Sequence, residues 1–126
     1  IRLLPDRSSH LLGVAYDRKG LTDRAKDSYE RAVKVEPEDA QTLNNLGSTQ
    51  LKLGDKAGAL ASFEKAVTLR PNYAIARFNL AEAVEPTNPK RALAEYETYL
   101  ALVEGVPDEA DRIALVQQRV KNLKPQ

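Results

Sequence analysis

Few side chains in this sequence could do chemistry. His10 is the only histidine, the chain has no cysteine, and Ser8 and Ser9 stand beside His10. Residues one or two positions apart on a helix do not face each other, so these serines are badly placed for a Ser/His/Asp arrangement. The sequence therefore favours a solvated histidine, or one in a binding groove, over a catalytic one.

Acidic residues occur in two short groups, but neither has the pattern of a metal site. Glu95 and Glu97 fall on different faces of a predicted helix, as do Asp108, Glu109 and Asp111. With a single histidine they lack the ligand clustering that a transition metal needs. The glycines are spread along the chain rather than gathered into a phosphate-binding loop. We therefore predict no enzyme, no metal site and no cofactor.

Charge and composition show no sign of a nucleic-acid or membrane partner, and net charge alone does not fix the class of partner. Nineteen Lys and Arg against eighteen Asp and Glu give a net charge of +1, without a block of like charges. No apolar run reaches the roughly 18 residues of a membrane span. The aromatic residues fall at packing positions rather than along a basic stripe: Tyr16, Tyr29, Phe63, Tyr96 and Tyr99. We expect a soluble chain, cytoplasmic or periplasmic, and neither nucleic-acid binding nor membrane insertion.

The sequence repeats itself every 34 residues. LGVAYDRKG at 12–20 returns as LGSTQLKLG at 46–54, and YERAVKVEP at 29–37 returns as FEKAVTLRP at 63–71. A third, weaker copy continues the spacing with Leu80, Ala81, Ala92 and Tyr96, after the loss of one residue. Repeats of this length indicate stacked supersecondary units.

Each copy divides into two segments with helical periodicity. The predicted helices lie near 8–19, 22–35, 40–53, 56–69, 74–84, 89–103 and 108–122. Asp55 is predicted to cap the fourth helix, and Asn88 followed by Pro89 to begin the sixth. The sequence thus predicts an all-α fold of helical hairpins.

The residues of these hairpins resemble the tetratricopeptide repeat. The first copy carries its signature at Leu12, Gly13, Tyr16, Gly20, Ala25, Tyr29, Ala32 and Pro37. Departures from the family pattern are Ser9, Leu43, Gln50, Arg77, Val84, Tyr99 and Glu104. The resemblance implies a right-handed superhelical solenoid of antiparallel hairpins with about seven helices, forming a single domain over 1–126. Its repeats would be 6–39, 40–73 and 74–106, with a capping helix at about 107–123.

The ends of the chain carry two further expectations. IRLLP at the start resembles the tail of a preceding second helix, which predicts a piece of a longer array or protein. In the last helix, an apolar side is predicted to cover the third repeat, through Ile113, Val116, Val120 and Leu123. Its polar side is predicted to face water, through Asp111, Arg112, Gln118, Arg119 and Lys121.

Small residues at Gly13, Gly47 and Ala81 are predicted to let paired helices approach closely. On this interpretation Gly13→Ala is tolerated, whereas Gly13→Leu overpacks the contact.

The resemblance implies a concave groove that holds a partner peptide or helix. Carried over residue by residue, its lining would be Arg7, His10, Val14, Asp17, Arg18, Gln41, Asn44, Asn45, Ser48, Leu51, Lys52, Ile75, Phe78, Asn79 and Glu82. This mixture favours a peptide with an apolar anchor and acidic character. Of the positions with which chaperone-binding members grip a C-terminal carboxylate, Asn45 alone is retained, which argues against chaperone tail capture. Self-association as an oligomerising scaffold is the alternative. Bacterial envelope assembly or secretion machinery is one setting that the resemblance suggests.

Overall fold

A computed structural model describes residues 7–125, and that part of the chain is all-α, as predicted. The helices are α1 (Ser8–Arg18), α2 (Thr22–Val35), α3 (Ala40–Lys52), α4 (Lys56–Leu69), α5 (Ala74–Val84), α6 (Pro89–Leu102) and α7 (Ala110–Leu123). Predicted and observed bounds agree to within two residues. The start of α7 is later than predicted because a short 3-10 turn, Pro107–Glu109, precedes it. The IRLLP segment lies outside the described residues.

The helices group into two compact units, residues 1–71 and 72–126. In the first unit α1 pairs with α2, α3 pairs with α4, and α2 also contacts α3. In the second unit α5 pairs with α6, and α6 contacts α7. The single domain with its repeat boundaries stays a prediction.

Local chain chemistry accounts for the sharp reversal inside the first two hairpins. Gly20 and Gly54 have φ of +75° and +85°, a left-handed conformation that glycine adopts without steric cost. After α1, the amide of Leu21 donates to the carbonyl of Tyr16 at 2.9 Å and that of Gly20 to Asp17 at 3.0 Å. This is the Schellman arrangement that ends a helix.

Side-chain caps begin several of the helices. Asp55 accepts the amide of Gly58 at 2.9 Å, and Asn88 accepts that of Arg91 at 3.1 Å with Pro89 at the first helical position. Both predicted caps are confirmed. Asp39 adds a third by accepting the amides of Gln41 and Thr42. These caps satisfy amides that have no partner within the helix.

In the first two hairpins the helices meet where a glycine faces an aromatic ring. A Cβ atom added at Gly13 would lie 2.6 Å from two carbons of the Tyr29 ring, and one at Gly47 would lie 2.6 Å from the Phe63 ring. Both rings are buried, so neither can easily withdraw. The predicted close approach is therefore observed, but the predicted tolerance of Gly13→Ala is wrong.

Two of the departures from the family pattern in the third repeat, Arg77 and Tyr99, have structural partners. Arg77 forms an ion pair with the buried Glu95, at 2.9 Å between Nη1 and Oε2. Tyr99 is buried and donates its hydroxyl to Glu109. Burial and this acceptor raise the pKa of Tyr99 to about 12. A large polar residue is thus accommodated where the family prefers a small one.

α7 covers the second unit with its apolar side, but its arginines do more than face water. Val116 and Val120 are buried, as expected. The guanidinium of Arg112 lies 5.3 Å from the centre of the Phe78 ring, and Arg119 contacts Glu85 at 3.2 Å. The prediction that both arginines only face water is therefore wrong, because α7 passes close enough to α5 to bring them into contact.

We expect Gly13→Ala to destabilise the protein by about 1–3 kcal/mol through overpacking against Tyr29. An ordinary Gly→Ala change inside a helix would instead stabilise by about 1 kcal/mol. Chemical denaturation measures the difference. Ala15→Ser, on the exposed side of α1, is the control and should shift stability by less than about 0.5 kcal/mol. A gain in stability for Gly13→Ala would contradict the close contact.

Candidate functional site

In the first unit, side chains join α1 to α3 near the start of both helices. The guanidinium of Arg7 donates to Gln41 Oε1 at 3.1 Å and lies 3.2 Å from the Asp39 carboxylate. His10 Nδ1 lies 2.7 Å from Thr42 Oγ1. These contacts join α1 and α3 side by side. We call the surface formed by the predicted groove residues of these two helices the α1–α3 face.

His10 is a buried residue of this interface. It is 4% exposed, and its ring centre lies 6.0 Å from that of Tyr29. Burial lowers the pKa of His10, and the neighbouring positive charge of Arg7 lowers it further. His10 is therefore not solvated, because Thr42 of α3 covers its side chain. The alternative expectation, a histidine in a binding groove, stays a prediction.

A second connection lies near the end of α1 and α3. Tyr29 donates its hydroxyl to Asp17 Oδ2 at 2.7 Å, and Lys52 Nζ lies 4.0 Å from Asp17 Oδ1. That separation is too long for a hydrogen bond, and within the described chain Asp17 Oδ1 is a buried atom with no hydrogen-bond partner. Burial raises the pKa of Tyr29, and the hydrogen bond to Asp17 raises it further. Asp17 is therefore hydrogen-bonded to Tyr29 on the interior side of the hairpin, and its ion pair with Lys52 on the outer side is long.

The second unit repeats this arrangement. Tyr96 donates to Glu85 Oε1 at 2.9 Å, and Arg119 Nη1 lies 3.2 Å from the same carboxylate oxygen. In both units the hydroxyl of an aromatic residue on the second helix of a hairpin donates to an acid at the end of the first helix, and a base on the helix after the hairpin pairs with that acid. Glu85 was missed by the sequence analysis. The 34-residue spacing from Asp17 through Leu51 could have identified it.

The middle repeat lacks both members of the pair. It carries Phe63 where the hydroxyl-bearing Tyr29 stands in the first repeat, and Leu51 where Asp17 stands. A buried hydroxyl needs an acceptor, whereas Phe63 does not. The repeat with Tyr29 thus carries the acidic Asp17, whereas the repeat with Phe63 carries the apolar Leu51. Leu51 is 40% exposed.

Accessibility divides the predicted groove residues of the first unit. Arg7, Arg18, Gln41, Leu51 and Lys52 are exposed; Val14, Asp17, Asn45 and Ser48 are half-buried; His10 and Asn44 are buried. The exposed and half-buried members are available to a ligand. The two buried residues, His10 and Asn44, lie beneath this surface.

In the second unit α7 lies against part of the predicted groove. Phe78 is buried, with its ring centre 5.7 Å from that of Tyr99 and with Arg112 above it. Glu82 lies 3.7 Å from Arg119, and burial raises its pKa although Arg119 opposes the shift. Ile75 and Asn79 are half-buried. The assignment of these α5 residues to a peptide groove stays a prediction.

Sequence reasoning did not anticipate a pocket of about 550 Å³ at the edge of the first unit. Its lining includes Arg7, Glu36, Asp39, Gln41 and Arg70. Both signs of charge are present, so the lining does not have the pattern of an anion site. The pocket borders the α1–α3 face through Arg7 and Gln41.

Over residues 7–125 no group of three His, Asp or Glu side chains is placed to hold a metal ion. Among the helices described there, none is long and apolar enough to cross a membrane.

The geometry agrees with the family comparison. The sequence profile of the tetratricopeptide repeat matches residues 10–74 and 44–110. The chain belongs to the tetratricopeptide repeat family.

Known proteins similar to this chain come from several organisms. It is 31% identical over 70 residues to the peroxisomal targeting signal receptor of Saccharomyces cerevisiae, which covers 56% of this chain and 11% of the receptor. The chain thus spans about a tenth of that relative's length. The activity of such a whole protein cannot be assigned to it.

Solved structures show the same fold at low identity. The Yersinia enterocolitica type III secretion chaperone SycD, in complex with a peptide of the translocator YopD, aligns with a TM-score of 0.85 at 14% identity over 93% of this chain and 90% of that one. The second TPR domain of human RPAP3, in complex with the HSP70 peptide SGPTIEEVD, aligns with a TM-score of 0.77 at 20% identity over 94% of each chain.

We expect Tyr29→Phe and Asp17→Leu each to destabilise the protein by about 1–3 kcal/mol, because each leaves a polar group of the buried pair without its partner. The double variant reproduces the Phe and Leu pair of the middle repeat, so it should cost clearly less than the sum of the two. A double-mutant cycle by denaturation measures this coupling. Additive losses would show that the hydrogen bond contributes nothing.

Stability should also decrease as the pH falls below 6.5, the ordinary pKa of histidine. Because folding lowers the pKa of His10, the unfolded chain binds a proton at a higher pH than the folded chain does. The contribution of neutral His10 to stability is therefore fully present above pH 6.5, the ordinary pKa of histidine, and is lost as the pH falls below it. Denaturation midpoints at pH 7.5 and about 5.5 measure the loss. His10→Gln removes the sole histidine and should reduce the loss. An equal loss in both proteins would contradict a buried neutral His10.

Proposed function

We propose that this chain is a non-enzymatic scaffold or adaptor that binds a partner peptide or helix on the α1–α3 face. The observation that carries the proposal is the composition of that surface. An exposed Leu51 and a half-buried Val14 lie on first helices that are joined side by side, with amide groups at Gln41 and Asn45. Peptide sites combine an apolar anchor point with polar groups that fix orientation.

The similar solved structures support this proposal at the level of the fold. The SycD structure contains a peptide of YopD, and the RPAP3 domain is bound to an HSP70 peptide. The fold shared with these proteins is thus compatible with holding a peptide, while their low identity transfers no particular partner.

The charges of the face favour a ligand with an acidic residue near its apolar anchor. Arg18 is exposed in the last turn of α1, and the Lys52 side chain is 60% exposed and loosely paired with Asp17. An exposed ion pair of this kind contributes about 0–1 kcal/mol. A carboxylate of the ligand could therefore take Lys52 as its partner at little cost.

Chaperone tail capture is not the proposed activity. Among the positions with which tail-binding members of the family grip a C-terminal carboxylate, His10 is buried, while Val14 and Ile75 are apolar. Asn45 alone retains the expected type. We propose that the HSP70 peptide SGPTIEEVD binds weakly or not at all, in contrast to the RPAP3 domain.

Selection from a displayed random-peptide library tests the proposal. We expect enriched peptides to carry an apolar residue close to Asp or Glu, with SGPTIEEVD as the comparison peptide. Arg18→Glu should weaken the selected peptide about tenfold, equivalent to about 1.4 kcal/mol, and so should Leu51→Ser. Isothermal titration calorimetry measures both.

Matched controls are Arg31→Glu and Leu21→Ser, which change exposed residues outside the predicted groove. Equal losses in the control and groove variants would overturn the assignment of the α1–α3 face. Light scattering across a concentration series accompanies the titration. A tight oligomer that no peptide enters would favour self-association over peptide binding.

A further inference from the structure

The pocket at the edge of the first unit is lined mainly by residues outside the predicted peptide groove. It lies where α1 and α3 begin and where α2 and α4 end, and its volume is about 550 Å³. All of its lining residues belong to the first unit. A volume of this size is within the range of sites for small ligands or single side chains.

The charged groups of this pocket leave an excess of acid. The lining has three carboxylates and two guanidiniums, which belong to Glu36, Glu38, Asp39, Arg7 and Arg70. Asp39 is already engaged, because it pairs with Arg7 at 3.2 Å and caps α3. Within the described part of the chain, neither Glu36 nor Glu38 makes a side-chain hydrogen bond or an ion pair. Two carboxylates, one of them the half-buried Glu36, are therefore available to a cation.

His10 adds a buried polar group that is independent of these acids. It lines the pocket and is 4% exposed. Its Nδ1 lies 2.7 Å from Thr42 Oγ1, and no described residue forms a hydrogen bond with its Nε2. Burial lowers the pKa of His10, which keeps the ring neutral at pH 7. With Nδ1 donating to Thr42, Nε2 is the hydrogen-bond acceptor that the neutral ring offers to a ligand.

The remaining wall of the pocket is apolar. Ala32 and Ala40 are buried, and Leu69 is 38% exposed. An aliphatic chain can lie on such a wall while its charged end reaches the polar groups, as the stem of a lysine does at protein surfaces. A bare metal ion does not fit, since among the described residues no group of three His, Asp or Glu could hold one.

We propose that this pocket binds an alkylammonium group, which is the group carried by the side chain of lysine and by free aliphatic amines. Glu36 and Glu38 supply the opposite charge, Nε2 of His10 accepts one N–H, and the aliphatic stem lies on Leu69. A compact ammonium with three donors suits separate acceptors, whereas a guanidinium is better matched to a single carboxylate. The site does not depend on whether the α1–α3 face binds peptides.

Titration of the full chain with lysine whose α-amino and α-carboxyl groups are blocked tests the proposal. His10 is the only histidine, so its ring signals in NMR spectra report directly on the pocket. We expect these signals to shift and to reach saturation with blocked lysine. Blocked Nε-acetyl-lysine, which has the same stem without the charge, should leave them in place.

Charge-neutral variants locate the site. Glu36→Gln and Glu38→Gln should each weaken binding of blocked lysine about fivefold, the upper end of what an ion pair near the surface contributes. Glu30→Gln is the matched control, because Glu30 is an exposed acid of α2 outside the pocket. It should leave binding unchanged. Leu51→Ser, a change in the α1–α3 face, should also leave it unchanged, so failure of peptide binding would not be confused with failure of this site.

The choice of ligands identifies the source of the ammonium. Blocked lysine that binds more tightly than 1,5-diaminopentane supports a lysine of a partner chain, and the reverse order supports a free amine. Blocked arginine that binds as tightly as blocked lysine would overturn the assignment to an ammonium group. An absence of saturable shifts at His10, equal shifts with the acetylated derivative, or equal affinities in the Glu36→Gln, Glu38→Gln and Glu30→Gln proteins would overturn the site itself.

Discussion

The close contact between a glycine of α1 or α3 and an aromatic ring of the helix that follows it is the constraint on which the first two hairpins depend. At Gly13 and Gly47 the ring occupies the space that a Cβ atom would take. The two backbones can therefore approach more closely than larger residues would allow, and the aromatic fills the resulting interior. The contact recurs after 34 residues, so these two hairpins share the same register.

The aromatic ring links this interior to the surface. Tyr29 extends its hydroxyl to Asp17, and Tyr96 does the same to Glu85. Each acid then faces a base on the helix that follows the hairpin, Lys52 on α3 or Arg119 on α7. A single side chain thus supports the packing inside a hairpin and positions a charge that links the first helix to the helix after the hairpin.

Much of the fold could be predicted because its signals are local. The apolar period, the capping residues Asp55 and Asn88, and the glycine at the hairpin turn act within a few residues, so the helix bounds follow from short stretches of sequence. The family resemblance added the pairing of the helices. The tolerance of Gly13→Ala could not be judged from the residue type, because it depends on the position of the Tyr29 ring on another helix.

The side-chain partners were harder to predict because they come from distant positions. His10 reads as an exposed polar residue on its own helix, and Thr42 on α3 removes it from solvent. Arg112 and Arg119 read as solubilising charges, whereas Phe78 and Glu85 give them specific contacts. A polar residue on a helix can face water or contact a neighbouring helix, and the same sequence pattern fits both cases. The 34-residue spacing that relates Glu85 to Asp17 was therefore the remaining signal for this contact.

The pairing of aromatic and acid has a consequence for how such a surface can diversify. A repeat with tyrosine needs an acceptor at the facing position and so presents a carboxylate, whereas the repeat with Phe63 leaves that position to Leu51. The chemistry of this surface therefore depends in part on the core. To change the exposed position of one repeat, a designer would have to change two positions together, one at the surface and one in the interior.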